Sequence, residues 1–171
     1  MIKLIGAGLI LSAASWGGYD MARRYTERTR HIRQLRSSLQ ALEAEIMYSH
    51  TPLKDASLKL SRQLPKPVSN LFDSFAVRLG DLGTTARDAW EGSLKEVWPE
   101  LSLKREEFEI LAQFGETLGM HDRASQQKQI HLTLTHLERE EKEAADRQLK
   151  YEKMLKSLGF LSGLLLVILL L

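Results

Sequence analysis

Apolar positions recur at helical spacing through almost the whole chain. Ile32, Leu35, Leu39, Leu42 and Ile46 stripe one side of an otherwise charged segment, the three-and-four spacing of an amphipathic helix. Thr51-Pro52 ends that helix, because the residue before a proline is pushed out of helical geometry. Pro52 is then expected at the first position of a second helix, with Leu53, Ala56, Leu60 and Leu64 on one face. Pro65-Lys66-Pro67 breaks the chain again. Val68, Leu71, Phe72, Phe75 and Leu79 predict a third helix, closed by Gly80-Asp81-Leu82-Gly83. Thr85, with Asp88 three residues on, has the spacing of a capping box and opens a fourth helix through Ala89, Trp90, Leu94, Val97 and Trp98, which Pro99 stops. Ser102 is the expected N-cap of a fifth, running through Phe108, Leu111, Ala112, Phe114 and Leu118 to Gly119. Asp122 is the expected cap of a sixth. Six helices joined by short breaks predict an all-α fold, a compact antiparallel bundle.

The sixth helix changes environment twice. Ile130, Leu134 and Leu137 repeat at core spacing, whereas Glu138 to Lys153 carries 11 charges in 16 residues and is expected to be solvated. From Ser157 to Leu171 there is no charge at all. Glu138→Lys142, Glu143→Arg147, Asp146→Lys150 and Glu152→Lys156 are acid-first pairs four apart, the order that supports an exposed helix. At the other end Leu4 to Tyr19 is also uncharged, 16 residues preceded only by Lys3. At 1.5 Å per residue this covers ~24 Å, slightly under the ~30 Å hydrocarbon core. Snorkelling Lys3 and interfacial Trp16 and Tyr19 make up the difference. The expected organisation is an N-terminal anchor over 1–19, a helical bundle over 20–156 and a second span over 157–171. The competing reading of the first stretch is a signal peptide cut near Ser15, after Ser12-Ala13-Ala14.

Charge distribution turns these ends into a topology. Residues 20–36 hold six Arg against Asp20 and Glu27, and 150–156 hold three Lys against Glu152. The remaining interior, 37–149, has 14 basic and 19 acidic residues, net −5. Both basic flanks lie on the interior side of an apolar end, so the positive-inside rule places both termini outside and the bundle in the cytoplasm. Arg23, Arg24, Arg28 and Arg30 are candidates for contact with anionic lipid headgroups. Without a Gly-rich loop or interleaved aromatics, the basic run gives no specific case for nucleic acid. Small residues four apart, Gly159 with Gly163 beside Ser162 and Ala13 with Gly17, permit close helix packing in lipid, within one chain or between copies.

Candidate chemistry is sparse. The chain has no cysteine, which excludes disulfides and thiolate sites. His131 and His136 are five apart and off a common helix face, unlike the i, i+4 zinc spacing. Glu116, His121 and Asp122 flank one turn and could meet a cation, although capping explains Asp122 without one. No phosphate-cradling loop, dinucleotide fingerprint or nucleophile–base pair occurs, so the chain does not read as an enzyme and implies no cofactor.

The run Leu111-Ala112-Gln113-Phe114-Gly115-Glu116-Thr117-Leu118-Gly119-Met120-His121-Asp122, continuing to Gln126 and Gln127, is one distinctive stretch. A second is Glu45-Ile46-Met47-Tyr48-Ser49-His50-Thr51-Pro52-Leu53. With a span at each end, they resemble the stage III sporulation protein AB family of endospore-forming bacteria. Its soluble part is similar to the F-domain of the platform proteins of type II secretion and type IV pili, a six-helix bundle. Those platform proteins carry two such domains and usually three spans; this chain has one domain and two spans. The resemblance implies a non-enzymatic membrane platform in a channel complex between mother cell and forespore, on the mother-cell side of the outer forespore membrane. Its implied partners are a cytoplasmic secretion-type ATPase and other membrane and ring-forming proteins. Residues 115–126 are the candidate shared surface, with Glu116, Leu118, Gly119, Asp122 and Gln126 as contact candidates. Leu118 reads equally as core, and Gly119 as a left-handed C-cap. An exported or tethered helical domain, acting outside the cell as a binding module, is the alternative.

Overall fold

A computed structural model describes the backbone of residues 2–49, 51–118 and 123–170. Side-chain surroundings are described for 23–48, 51–118 and 125–151, and for 153, 154, 157, 158, 161 and 165. Among the described residues the chain is all-helical, with six α-helices and no strand: α1 Ile2–Ala44, α2 Leu53–Gln63, α3 Val68–Arg78, α4 Ala86–Val97, α5 Arg105–Thr117 and α6 Arg123–Leu170. A wider π turn over Glu45–Ser49 leads out of α1, and a short 3-10 turn, Trp98–Glu100, follows α4. The chain divides into two units, one of Arg30–Lys142 and one of Met1–Thr29 with Glu143–Leu171.

In the Arg30–Lys142 unit, α2 packs on α3, α3 on α4 and α4 on α5. Ile32, Leu35, Leu39 and Leu42 of α1 are all fully buried, as their spacing predicts. α6 runs antiparallel to α1. Ion pairs link Arg33 to Glu141 at 2.8 Å, Arg36 to Glu138 at 3.9 Å and His131 to Glu43 at 3.5 Å. The centre of the core is Trp90, fully buried. Its ring meets Phe75 and Phe114 edge-on, each with centroids 5.1 Å away, and its indole N–H donates to the Leu111 carbonyl at 2.7 Å. Such geometry satisfies the one polar atom while burying the largest side chain available. Buried hydroxyls are satisfied inside their own helices: Ser57, Ser93 and Thr117 donate to carbonyls three or four residues back at 2.7–2.8 Å, so the helical face can stay dry.

Three local expectations need correction. Pro52 lies just before α2 with ψ 138° rather than inside it, its carbonyl accepting from Ala56 N–H at 3.0 Å. Ser102 does not cap α5, because it lies two residues before the N-cap position; its N–H donates to Nδ1 of buried His31 at 3.1 Å. The boundary falls at Lys104, whose N–H donates to Glu107 at 2.6 Å; a carboxylate in the first turn also meets the positive end of the helix dipole. The segment expected to be solvated from Glu138 buries Glu140, Glu141 and Ala144 at 6%, 8% and 1% exposure. Thr85, by contrast, caps α4 as its spacing predicts, accepting from Asp88 N–H at 3.1 Å. At the far end of α5, extended Leu118 closes the helix; Gly119 and Asp122, the predicted caps on either side of the following turn, lie outside the described residues.

In the unit of Met1–Thr29 and Glu143–Leu171, the described backbone of both segments is helical. Tyr25 stacks on Tyr151 with centroids 4.1 Å apart. Glu143 and Arg147 form the expected ion pair one turn apart. Among the described residues no helix is long and apolar enough to cross a membrane. The uncharged stretch 4–19 and most of 157–171, with the packing candidates Ala13, Gly17, Gly159, Ser162 and Gly163, lie outside the described side chains.

Candidate partner-binding surface

The residues proposed from the 115–126 run do not form one exposed patch. Glu116 is on the surface, its side chain 56% exposed and ion-paired with Arg87 of α4 at 2.9 Å. Its neighbours point the other way: Leu118 and Gln126 are buried at 5% and 7% exposure. These two belong to the packed interior rather than to a docking face. Gly115, just before Glu116 in sequence, is also buried, and Trp90 lies against it: a Cβ added there would come 2.4 Å from Trp90 Cδ1. Within the run, Gly115 is the position that Trp90 packing requires.

A second surface was not singled out by the sequence. A groove of about 560 Å³ lies along α3 and α4, lined by Asn70, Asp73, Ser74, Val77, Arg78, Asp81, Glu96, Val97 and Glu100. The core stripe of α3 (Val68, Leu71, Phe72, Phe75) is turned inward, leaving positions 70, 73, 74, 77 and 78 on the opposite face at three-and-four spacing, with Asp81 on the turn that follows. Four carboxylates face one guanidinium here, so the groove carries a net charge of −3. Ser74 donates to Glu96 at 2.6 Å and Arg78 to the same oxygen at 3.1 Å. The Ser74 hydroxyl first, and Arg78 second, hold the Glu96 carboxyl below the ordinary carboxylate range. Asn70 donates to Glu100 at 2.7 Å. Apolar surface adjoins the charges: Val77 is 62% exposed, and Leu82, on the turn after α3, is fully so. Fixed carboxylates beside exposed apolar side chains suit a basic, partly apolar protein segment. In sequence, this face is indistinguishable from ordinary helix solvation.

The basic run is put to several uses. Arg28 is buried at 5% exposure, so it is not presented to headgroups as expected. Arg23 pairs with Glu27 at 2.9 Å, and Arg33 and Arg36 turn to Glu141. Arg24 and Arg30 are exposed. No group of three or more His, Asp or Glu is placed to hold a metal among the described residues. His121 and Asp122 lie outside them.

Comparison with known proteins places these features in a family. The family model for stage III sporulation protein AB matches residues 3–171. Stage III sporulation protein AB of Bacillus subtilis (strain 168) is 59% identical over 170 residues, 99% of each chain. A solved structure of stage III sporulation protein AB superposes with a TM-score of 0.71 at 58% identity, covering 72% of this chain and 98% of its own. The chain belongs to the stage III sporulation protein AB family.

Proposed function

We propose that the protein is a non-enzymatic membrane platform in endospore formation, holding a helical bundle at the cytoplasmic face of a membrane by two terminal spans and docking an ATPase there. The observation that carries this reading is an end-to-end match to a sporulation family, over 99% of both chains, by a sequence with one uncharged stretch at each end. Basic residues flank both stretches on the interior side, which favours retention of the bundle in the cytoplasm. By resemblance, the membrane is the outer forespore membrane seen from the mother cell, and the complex is a secretion-like channel with ring-forming members. Glu116 and the carboxylates of the α3–α4 groove are the exposed acidic features offered to a partner.

The test is recruitment. Vesicles carrying the full chain are floated through a density gradient with the cytoplasmic secretion-type ATPase of the same operon. The ATPase is expected to float with them, and reversing groove charge with Asp73→Lys and Glu100→Lys is expected to leave it at the bottom. An ATPase that never floats with the wild-type chain refutes the docking role.

A further inference from the structure

Within the unit of Met1–Thr29 and Glu143–Leu171, the stacked phenols of Tyr25 and Tyr151 form the floor of a pocket of about 340 Å³ completed by Arg147, Lys150 and Met154. Positions 147, 150, 151 and 154 recur at three-and-four spacing, so α6 presents them on one face. The rings lie 4.1 Å apart at 24°. The Tyr151 hydroxyl beside it first, and burial second, raise the Tyr25 phenol above its ordinary value of 10.0. Each phenol hydroxyl carries one hydrogen that it can donate to a bound anion. Arg147 pairs with Glu143 one turn before, but a guanidinium has five N–H donors and one carboxylate does not exhaust them. Lys150 is exposed, and the pairing with Asp146 that its spacing suggests does not occur among the described ion pairs.

The position of the pocket along the helices identifies what would fill it. Tyr25 is six residues past Tyr19, where the uncharged N-terminal stretch ends, and Tyr151 is six before Ser157, where the C-terminal one begins. At 1.5 Å per residue, both rings lie ~9 Å from an apolar boundary. Headgroup layers add ~5–8 Å to each face of the hydrocarbon core, and Arg and Lys side chains reach further than that difference. Met154, 47% exposed, is one turn nearer the boundary and offers apolar contact on that side. A site with two cations, a phenol donor and an adjoining apolar wall matches a phosphate attached to an apolar body.

We propose that Tyr25, Tyr151, Arg147 and Lys150 bind the phosphate of an anionic lipid headgroup, with Met154 against its glycerol end. This rests on the reading that residues 157–171 enter a bilayer. The pocket differs from the arginine run near residue 30 in being a built cavity rather than a diffuse charge.

The experiment uses the full chain in a mild detergent, with phosphatidylglycerol or phosphatidylcholine added and retained lipid counted by native mass spectrometry. The wild type is expected to retain phosphatidylglycerol in preference to phosphatidylcholine. Arg147→Gln and Lys150→Gln should each weaken that retention roughly fivefold, Tyr25→Phe with Tyr151→Phe should weaken it too, and Arg105→Gln on α5 should leave it unchanged. Equal retention of the two lipids, or wild-type retention by the Arg147→Gln, Lys150→Gln double variant, overturns the site. Displacement of the lipid by millimolar inorganic phosphate would make the ligand free phosphate, which overturns the lipid assignment. Flotation with neutral phosphatidylcholine vesicles is measured in parallel. A chain that floats but shows no headgroup preference refutes the pocket, whereas one that does not float refutes the membrane reading beneath it.

Discussion

Gly115→Ala tests the core where the sequence is least permissive. The added methyl would lie 2.4 Å from Trp90 Cδ1, 3.2 Å from Cγ and 3.3 Å from Nε1. Carbon pairs are comfortable at about 3.5 Å, so the indole must retreat by about 1 Å. It has nowhere free to go: Trp90 is fully buried, with Phe75 and Phe114 packed edge-on at 5.1 Å. Overpacking of this kind costs about 1–3 kcal/mol. Moving the indole also stretches its 2.7 Å bond to the Leu111 carbonyl, and a buried donor left unsatisfied costs about 1–3 kcal/mol. Alanine returns up to about 1 kcal/mol of helix propensity at an interior position. The net expectation is a loss of about 2–4 kcal/mol, a midpoint lower by roughly 5–15 °C for a chain of this size. Thermal unfolding of the full chain in detergent, followed by near-UV circular dichroism, reads the packing of this cluster. A midpoint equal to or above wild type would mean that propensity outweighs the clash, and the assigned contact between Gly115 and Trp90 would be wrong.

Glu141→Gln should cost about 1.5–3 kcal/mol, because its side chain, 11% exposed, accepts a hydrogen bond from Arg33 at 2.8 Å and lies in ion-pair range of Arg36 at 3.3 Å; Glu109→Gln, in an exposed pair with Arg105, should cost under about 0.5 kcal/mol in the same denaturation series. Acid sensitivity should follow from Glu96, Glu91 and Glu138, each held below the ordinary 4.5 by a hydrogen-bonded partner: Ser74 then Arg78, Lys95, and Lys142. A depressed carboxyl binds fewer protons folded than unfolded, so its contribution is present above about pH 4.5 and is lost as pH falls through the folded value. Glu96→Gln should therefore flatten the stability–pH curve below pH 4.5 while leaving its slope near neutrality unchanged, and an unaltered acid limb would contradict the assignment.

Much of the bundle is readable in the chain because a single-helix period decides it. Val68, Leu71, Phe72 and Phe75 are all buried, as are Ile130, Leu134 and Leu137, since a three-and-four apolar stripe has only one face to hide. What escapes that reasoning depends on residues far apart in sequence. Glu141 looks like part of a solvated charged run, yet Arg33 reaches it from 108 positions away. Ser102 has the chemistry of a cap, but α5 starts only at Arg105, and the Ser102 N–H goes to His31, 71 positions away. Phe114-Gly115-Glu116-Thr117-Leu118 stands out as a motif but divides by helical phase. Glu116 is exposed, while Gly115 and Leu118 serve the core. The α3–α4 groove was hidden for the opposite reason, since its carboxylates occupy positions where any soluble helix carries charge.

The account stands on the bundle being cytoplasmic and the carboxyl terminus being outside. Topology can be read with single cysteines on this cysteine-free chain. Leu82→Cys is the reporter for the bundle, because that side chain is fully exposed, and Leu171→Cys is the reporter for the end. Non-sporulating cells that express the chain in their surface membrane are treated with a membrane-impermeant thiol reagent, before and after lysis. The account predicts that Leu171→Cys labels in intact cells and Leu82→Cys only after lysis; labelling of Leu82→Cys in intact cells would contradict it.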